Sequence, residues 1–210
     1  MRLLVLSALL FSSPALALEI APIADDRLIE IEQTSGMMLS SSPASPFQDW
    51  DECVLMPGAG GSCQESRIGI GELSGRGSSM SDGGGDTIGT TRFDVVFRVD
   101  SDSLSFVDSL FEAETLALDG IFDASLWLVG FEELGPIWEI SPGAPSSSFS
   151  QSSLVLVGGH YRLVVESTHF TAPVGQFNEW AFTFSLIPEP SGGLLVGLGL
   201  LALAIWRRSA

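Results

Sequence analysis

The sequence predicts an all-β chain: a single antiparallel β-sandwich or jelly-roll-like domain, flanked by an N-terminal signal-peptide helix and a C-terminal transmembrane helix. Three observations point there. Short runs alternate apolar and polar residues with a period of two. Gly, Pro, Ser and Asp clusters separate those runs at the spacing of turns. No long helical period occurs before the C-terminal tail. Many short strands with polar turns make a sandwich the expected architecture.

Each element follows from its local pattern. Residues 1–17 carry a single Arg2, an apolar stretch from Leu3 to Phe11 and then Ala15-Leu16-Ala17. That is the charged, apolar, small-x-small order of a secretory signal peptide cut after Ala17, with Ala15 and Ala17 as the signal peptidase recognition residues. The exported domain then occupies residues 18–186, long enough for one sizeable core and short for two. Leu28 to Glu32 alternates as a strand. Residues 40–66 read as a loop holding Pro43, Pro46 and both cysteines, and the Gly/Ser-rich residues 74–89 as a second, mobile loop. Phe93, Val95, Phe97 and Val99 share one strand face, against Asp94, Arg98 and Asp100 on the other. Asp108 to Glu114 reads as a helical turn, followed by strands over 116–122 and 126–131. Leu154 to Val157 and Tyr161 to Glu166 flank Gly158-Gly159 and predict a hairpin. Trp180, Phe182, Phe184 and Leu186 alternate with small polar residues and give the cleanest strand.

The formal net charge is −17 and lysine is absent. A field of that sign repels nucleic acid and anionic headgroups and keeps an exported chain soluble. Cys53 and Cys63 are the only cysteines, and in an exported chain they predict one disulfide across a Gly-rich loop. Such a bridge contributes roughly 2–3 kcal/mol by loop closure. A nucleophilic role is disfavoured because Asp49, Asp51 and Glu52 would raise the thiol pKa.

The tail, residues 187–210, has three parts: Pro188-Glu189-Pro190, an uncharged run over 192–206, and Arg207-Arg208. The two prolines make a stiff extended break. A helix over 192–206 spans about 22 Å, so it crosses a bilayer only with Trp206 at the interface and the arginines snorkelling. The terminal arginines place that end in the cytoplasm and the domain outside. This order and position resemble the PEP-CTERM sorting signal of Gram-negative bacteria, over about a tenth of the chain. Gly192-Gly193 departs from the usual residues after the serine. The resemblance implies export by the Sec translocon, processing by exosortase, a membrane-embedded protease, and a transient anchor before release to the cell surface or matrix of an exopolysaccharide-producing cell. More loosely, Leu154 to Pro190 resembles the last hairpin of such proteins, in which a Gly-x-Tyr-x-Leu-x-Val strand and a final strand lead into the motif.

Candidate chemistry is sparse. Gly71-Glu72-Leu73-Ser74-Gly75 misses the nucleophile elbow by one position. His160, at the predicted turn, and His169, in a predicted loop, lack zinc-ligand spacing. Asp100 and Asp102 open an acidic loop but Leu104 and a missing glycine break the EF-hand pattern, leaving them weak calcium candidates. Asp82-Gly83-Gly84-Gly85-Asp86 matches one turn of a calcium-binding glycine repeat, without the stacking such repeats need. Trp50 and Trp138, in loop-like surroundings, are the candidates for stacking on sugar rings, whereas Trp180 reads as core and Trp127 is unassigned. The expectation is an exported, non-enzymatic surface or matrix protein. Its alternative is a carbohydrate-binding module of the exopolysaccharide matrix, assisted by calcium. A glycoside hydrolase would need two carboxylates about 5–9 Å apart in a cleft.

Overall fold

The computed structural model describes residues 19–58, 60–81, 87–99, 107–116, 120–141, 148–171 and 177–187. The expected signal peptide with Ala15 and Ala17, the expected sorting motif with Pro188, Glu189, Pro190, Arg207 and Arg208, and Asp82, Asp86, Asp100 and Asp102 lie outside the described residues. Among the described residues no helix is long and apolar enough to cross a membrane.

The described residues form strands β1 (Ile20–Asp25), β2 (Leu28–Gln33), β3 (Met38–Ser41), β4 (Trp50–Met56), β5 (Gly60–Ile68), β6 (Glu72–Ser81), β7 (Thr87–Val99), β8 (Val107–Leu116), β9 (Gly120–Leu128), β10 (Trp138–Ile140), β11 (Ser148–Leu156), β12 (Gly159–Thr171) and β13 (Phe177–Ile187). They make two antiparallel sheets. Sheet A runs β10-β9-β12-β7-β2-β3, with β1 also on β7, and sheet B runs β11-β8-β13-β6-β5-β4. The expected all-β sandwich is present.

Period-two burial explains the layering. In sheet A, Phe93, Val95, Phe97 and Val99 of β7 and Tyr161, Leu163 and Val165 of β12 face inward and are buried. Opposite them in sheet B stand Phe111, Phe182, Phe184 and Leu186. The rings interlock edge-on, with Phe93 and Phe182 centroids 4.9 Å apart at 69°, a geometry favoured by the ring quadrupoles. Toward the other end the interior turns polar, with Ser62, Gln64, Ser79, Thr91, Ser167, His169 and Asn178 all buried. A second apolar cluster, Ile29, Ile31, Trp50, Val54 and Met56, fills the side under β2 and β4.

Several local expectations are corrected. Residues 40–66 are no loop: they hold the β4–β5 hairpin, turned at Gly58 with φ +74°. Its inward positions Trp50, Val54, Ser62, Gln64 and Ser66 alternate, but serine and glutamine hide the pattern from a hydropathy reading. Residues 74–89 are equally mostly strand. Gly75 and Gly77 of β6 sit in register with Phe182 and Trp180 of β13. A Cβ on Gly75 would lie 2.7 Å from the Phe182 ring, and one on Gly77 would lie 2.6 Å from the Trp180 indole. Glycine is there to receive the rings.

Residues 108–114 lie in β8 and form no helical turn, since alternate residues Ser109, Phe111 and Ala113 all point into the core. Instead of separate strands over 116–122 and 126–131, β8 ends at Leu116 and one strand, β9, runs from Gly120 to Leu128, taking in parts of both. The hairpin expected about Gly158-Gly159 does not form. β11 belongs to sheet B and β12 to sheet A, because Leu156 and Tyr161 must reach the core from opposite layers. Tyr161 holds the crossing: its hydroxyl donates to Val157 O at 2.8 Å and accepts from Val157 N at 3.2 Å. Likewise β12 and β13 lie in different sheets, so the last two strands are no hairpin.

β1 and β2 pair with successive halves of β7, as one strand interrupted at Asp26-Arg27. At the break Arg27 turns inward and is 1 % exposed. Its guanidinium donates to both Asp25 carboxylate oxygens, at 2.8 and 2.6 Å, to Ser66 Oγ at 2.9 Å and to Gln48 O at 2.8 Å. It also lies over the Trp50 ring, 5.9 Å from its centroid. Asp25 accepts in addition from the amide of Phe47, a residue in left-handed conformation at φ +62°.

His169, expected in a loop, lies in β12 and is 2 % exposed, with Nε2 3.0 Å from Ser167 Oγ. Burial pushes its pKa down to about 4, since the charged imidazolium loses its hydration.

Two predictions follow from this packing. Gly77→Ala lowers stability by about 1–3 kcal/mol through overpacking against Trp180, while Gly71→Ala, where a Cβ meets nothing within 4 Å, leaves the melting temperature unchanged. Between pH 6.5 and about 4 the unfolded chain protonates His169 while the folded one does not. Stability is therefore lost as the pH is lowered through that window, by roughly 3 kcal/mol. Urea midpoints at the two limits measure it, and an undiminished fall in His169→Gln would refute the assignment.

A polar groove on the outer face of sheet B

Outward-facing positions of sheet B form registered rows across its strands. One row reads Asp51, Glu65, Arg76, Ala181 and Glu114; the next, toward one strand end, reads Arg67, Ser74, Thr183 and Glu112. On the other side of the first lie Cys63, Ser78, Glu179 and Leu116. Two hollows of about 640 and 350 Å³ share Glu65, Arg76 and Ala181, and so make one open groove across the middle of the sheet. Ala181 supplies a low floor because its side chain ends at Cβ, while Glu65, Arg76 and Glu114 rise on either side.

Glu65 organises this surface. Arg76 Nε donates to Glu65 Oε2 at 2.7 Å and Arg67 donates to Oε1 at 3.0 Å. The hydrogen bond from Arg76 is the largest influence holding the Glu65 carboxyl below the usual range, with further help from Arg67. Glu65 is therefore an anion paired with two planar, largely exposed cations, an array of acceptors and forked donors. The groove lining counts five carboxylates (Asp51, Glu65, Glu72, Glu114, Glu179) against Arg67 and Arg76. That balance disfavours polyanions.

The outer face of sheet A is organised differently. Asp94 is buried there, which alone would raise its pKa, but hydrogen bonds from Arg162 at 2.8 and 2.6 Å and from Arg92 at 2.5 Å outweigh that and hold it low. This trio binds β7 to β12 and engages its own polar groups.

The expected site residues fall as follows. Cys53 and Cys63 form the expected disulfide, which joins directly opposed residues of β4 and β5 beside the groove and closes the Gly-rich turn between them. Trp50 is buried at 6 % exposure under Arg27, with Nε1 donating to Glu52 at 3.2 Å, so it offers no sugar-stacking face. Trp138 is half-buried, its ring tilted on Phe111 at 4.5 Å. The two tryptophans stand at opposite edges of the sandwich, on β4 and β10, and share no surface. Their loop-like neighbours misled because both short strands carry charged or proline-flanked sequence. His160 and His169 occupy opposite faces of β12, about 30 Å apart along the strand, so they cannot share a metal. Among the described residues no group of three or more His, Cys, Asp or Glu side chains converges as a metal site.

Glu65, Arg76, Glu114 and Glu179 were not legible as a site, being brought together by register from four strands. The one signal was the polar phase of each strand.

No protein-family model and no curated protein matches the chain. Among solved structures it is similar to TmCBM61 in complex with β-1,4-galactotriose, at 12 % identity over 55 % of this chain and 71 % of that one, with a TM-score of 0.30. It is also similar to a family 29 carbohydrate-binding module complexed with mannohexaose, at 12 % identity over 78 % of this chain and 93 % of that one, with a TM-score of 0.23. A structure of infectious bursal disease virus is similar at 10 % identity over 83 % of this chain and 58 % of that one, with a TM-score of 0.26. At these scores the likenesses carry no argument about ligand, and what identifies this chain is its own architecture: a two-sheet antiparallel β-sandwich with a polar groove on one outer face.

Proposed function

We propose that the chain is an exported polysaccharide-binding β-sandwich of the cell surface or extracellular matrix, with the groove on sheet B as its glycan site. The observation that carries this is the array of carboxylates and guanidinium groups around the Ala181 floor, with Glu65 paired to Arg76 and Arg67. Vicinal sugar hydroxyls donate to carboxylates and accept from arginine, so such an array suits a neutral, hydroxyl-rich polymer. An open groove crossing a sheet suits a chain more than a compact ligand. Binding is the chemistry favoured here. Glu65, at the centre of the groove, is held ionised by Arg76 and Arg67 and so suits accepting hydrogen bonds from sugar hydroxyls.

Delivery to that location is part of the same reading. Residues 1–17 would engage the Sec translocon and signal peptidase, and the Pro188-Glu189-Pro190 tail an exosortase-like protease in the inner membrane of a Gram-negative cell. Calcium is no part of the proposed site.

Affinity electrophoresis of the detergent-solubilised full chain tests the binding. Neutral β-linked polysaccharides retard the wild type, and a polyuronate does not. Glu65→Gln and Arg76→Ala each weaken retardation about tenfold or more, the loss of one or two charge-assisted hydrogen bonds, without lowering the melting temperature. Retardation unchanged in the double variant would place any glycan elsewhere. Intact-mass spectrometry of protein from the native cell surface tests the delivery. A species starting at Leu18 and ending between Pro188 and Pro190 is expected; one retaining Trp206 and Arg208 would refute tail processing.

A further inference from the structure

Each sheet of the sandwich has two edges, and exposed edges present unpaired N–H and C=O groups that pair with other chains unless they are blunted. All but one of the edge strands among the described residues are blunted: β1, six residues long on β7, carries Pro22 and Asp25. β3 is four residues long and β10 three, and β10 carries Glu139. β4 carries Asp51 and Glu52. β11 is the exception. Its nine residues, Ser-Phe-Ser-Gln-Ser-Ser-Leu-Val-Leu, contain no charge and no proline. Along its whole length it pairs with β8, and among the described residues nothing pairs with its other side. Val155 is 61 % exposed on it and Val157, just beyond, 46 %.

We infer that β11 is a self-pairing edge, joining a second copy of this chain through an antiparallel β11–β11 contact about a two-fold axis. Charge decides the occupant. On a chain with net charge −17, any close approach of two copies through β4, or of β10 with its Glu139, sets like charges together, which is destabilising across a strand pair. Among the described residues β11 is the one edge strand longer than seven residues, and two copies meet there without that penalty. An isologous contact of this kind is self-complementary and closes at two subunits, so it gives a dimer and no fibre. The pair forms a continuous twelve-stranded sheet from two copies of the six-stranded sheet B. The two-fold axis of an antiparallel strand pair is perpendicular to the sheet, so both outer faces point the same way. If the groove binds glycan as proposed above, the dimer then offers two sites on one surface to one polymer, with the gain in avidity that linkage brings; the pairing itself does not depend on that reading.

The experiment is sedimentation of the purified full chain in density-matched detergent at micromolar concentration, with amide hydrogen exchange read along β11. The wild type is expected to be a dimer in which alternate β11 amides are slow to exchange. Val155→Lys, a change at an exposed side chain, adds a charge to each edge and is expected to weaken the dimer roughly tenfold or more and to release those amides. Leu55→Lys on β4, 68 % exposed, serves as the control and leaves the dimer intact. A monomeric wild type overturns the inference, as does a dimer lost in Leu55→Lys and kept in Val155→Lys. Binding of neutral polysaccharide by a monomer would separate failure of the pairing from failure of the groove.

Discussion

The buried pair of Arg27 and Asp25 is the interaction on which the arrangement of one whole side of this sandwich depends. β12 covers one side of β7 along its whole length, whereas the other side is covered by two segments, β1 and β2, with a break between them. The break would leave an arginine side chain inside the protein, where an isolated charge costs far more than any single contact returns. Asp25 neutralises it bidentately, Ser66 and Gln48 take further donors, and the Trp50 face covers it. Each partner belongs to a different segment: β1, the 42–49 connection, β4 and β5. One cation therefore fixes how the first edge strand, the connection and the disulfide-linked hairpin meet. With both members present the pair defines this geometry; with either removed, the other becomes an uncompensated buried charge.

That hairpin matters to the surface as well as to the core. β5 contributes Ser62, Gln64 and Ser66 inward and Cys63, Glu65 and Arg67 outward. Its inner residues dock on sheet A while its outer residues build one wall of the groove. The position of Glu65 relative to Arg76 is set by the register of β5 on β6, while the opposed cysteines fix the register of β4 on β5. Glycines at 75 and 77 then let β6 lie flat against the large rings of β13. The low groove floor and the aromatic core beneath it have a common origin: small residues and large ones alternate along β13, with Ala181 between Trp180 and Phe182.

The interior divides by chemistry along the strands. The aromatic half draws its cohesion from Phe93, Phe97, Phe111, Phe182 and Phe184, whereas the other half brings the sheets close enough that Gly89 stands against Ser62, where a Cβ would meet the hydroxyl at 2.6 Å. His169 sits in that polar half and is kept neutral by burial. The same segregation sorts the faces outside. Asp94 on sheet A is consumed in a clamp with Arg92 and Arg162, while sheet B keeps its polar groups in an open groove.

How far the sequence reached depended on whether each element's pattern was local. Period-two alternation in β2, β7 and β13 was visible because the buried residues are apolar, and with the turn chemistry it was enough for an all-β sandwich. The Cys53–Cys63 pairing also needed only the count of cysteines. Alternation failed wherever the inward residue was serine, glutamine or glycine, as in β5 and β6, because hydropathy cannot distinguish a small polar residue in the core from one in a loop. The apparent hairpin at Gly158 failed for another reason: two adjacent strands look the same in sequence whether they pair with each other or cross between layers. The tertiary structure alone decided that Trp50 is buried, that Trp138 lies at the far edge, and that Glu65, Arg76, Glu114 and Glu179 share a groove. Those facts are matters of register among strands distant in sequence, and register is set by packing against the opposite sheet.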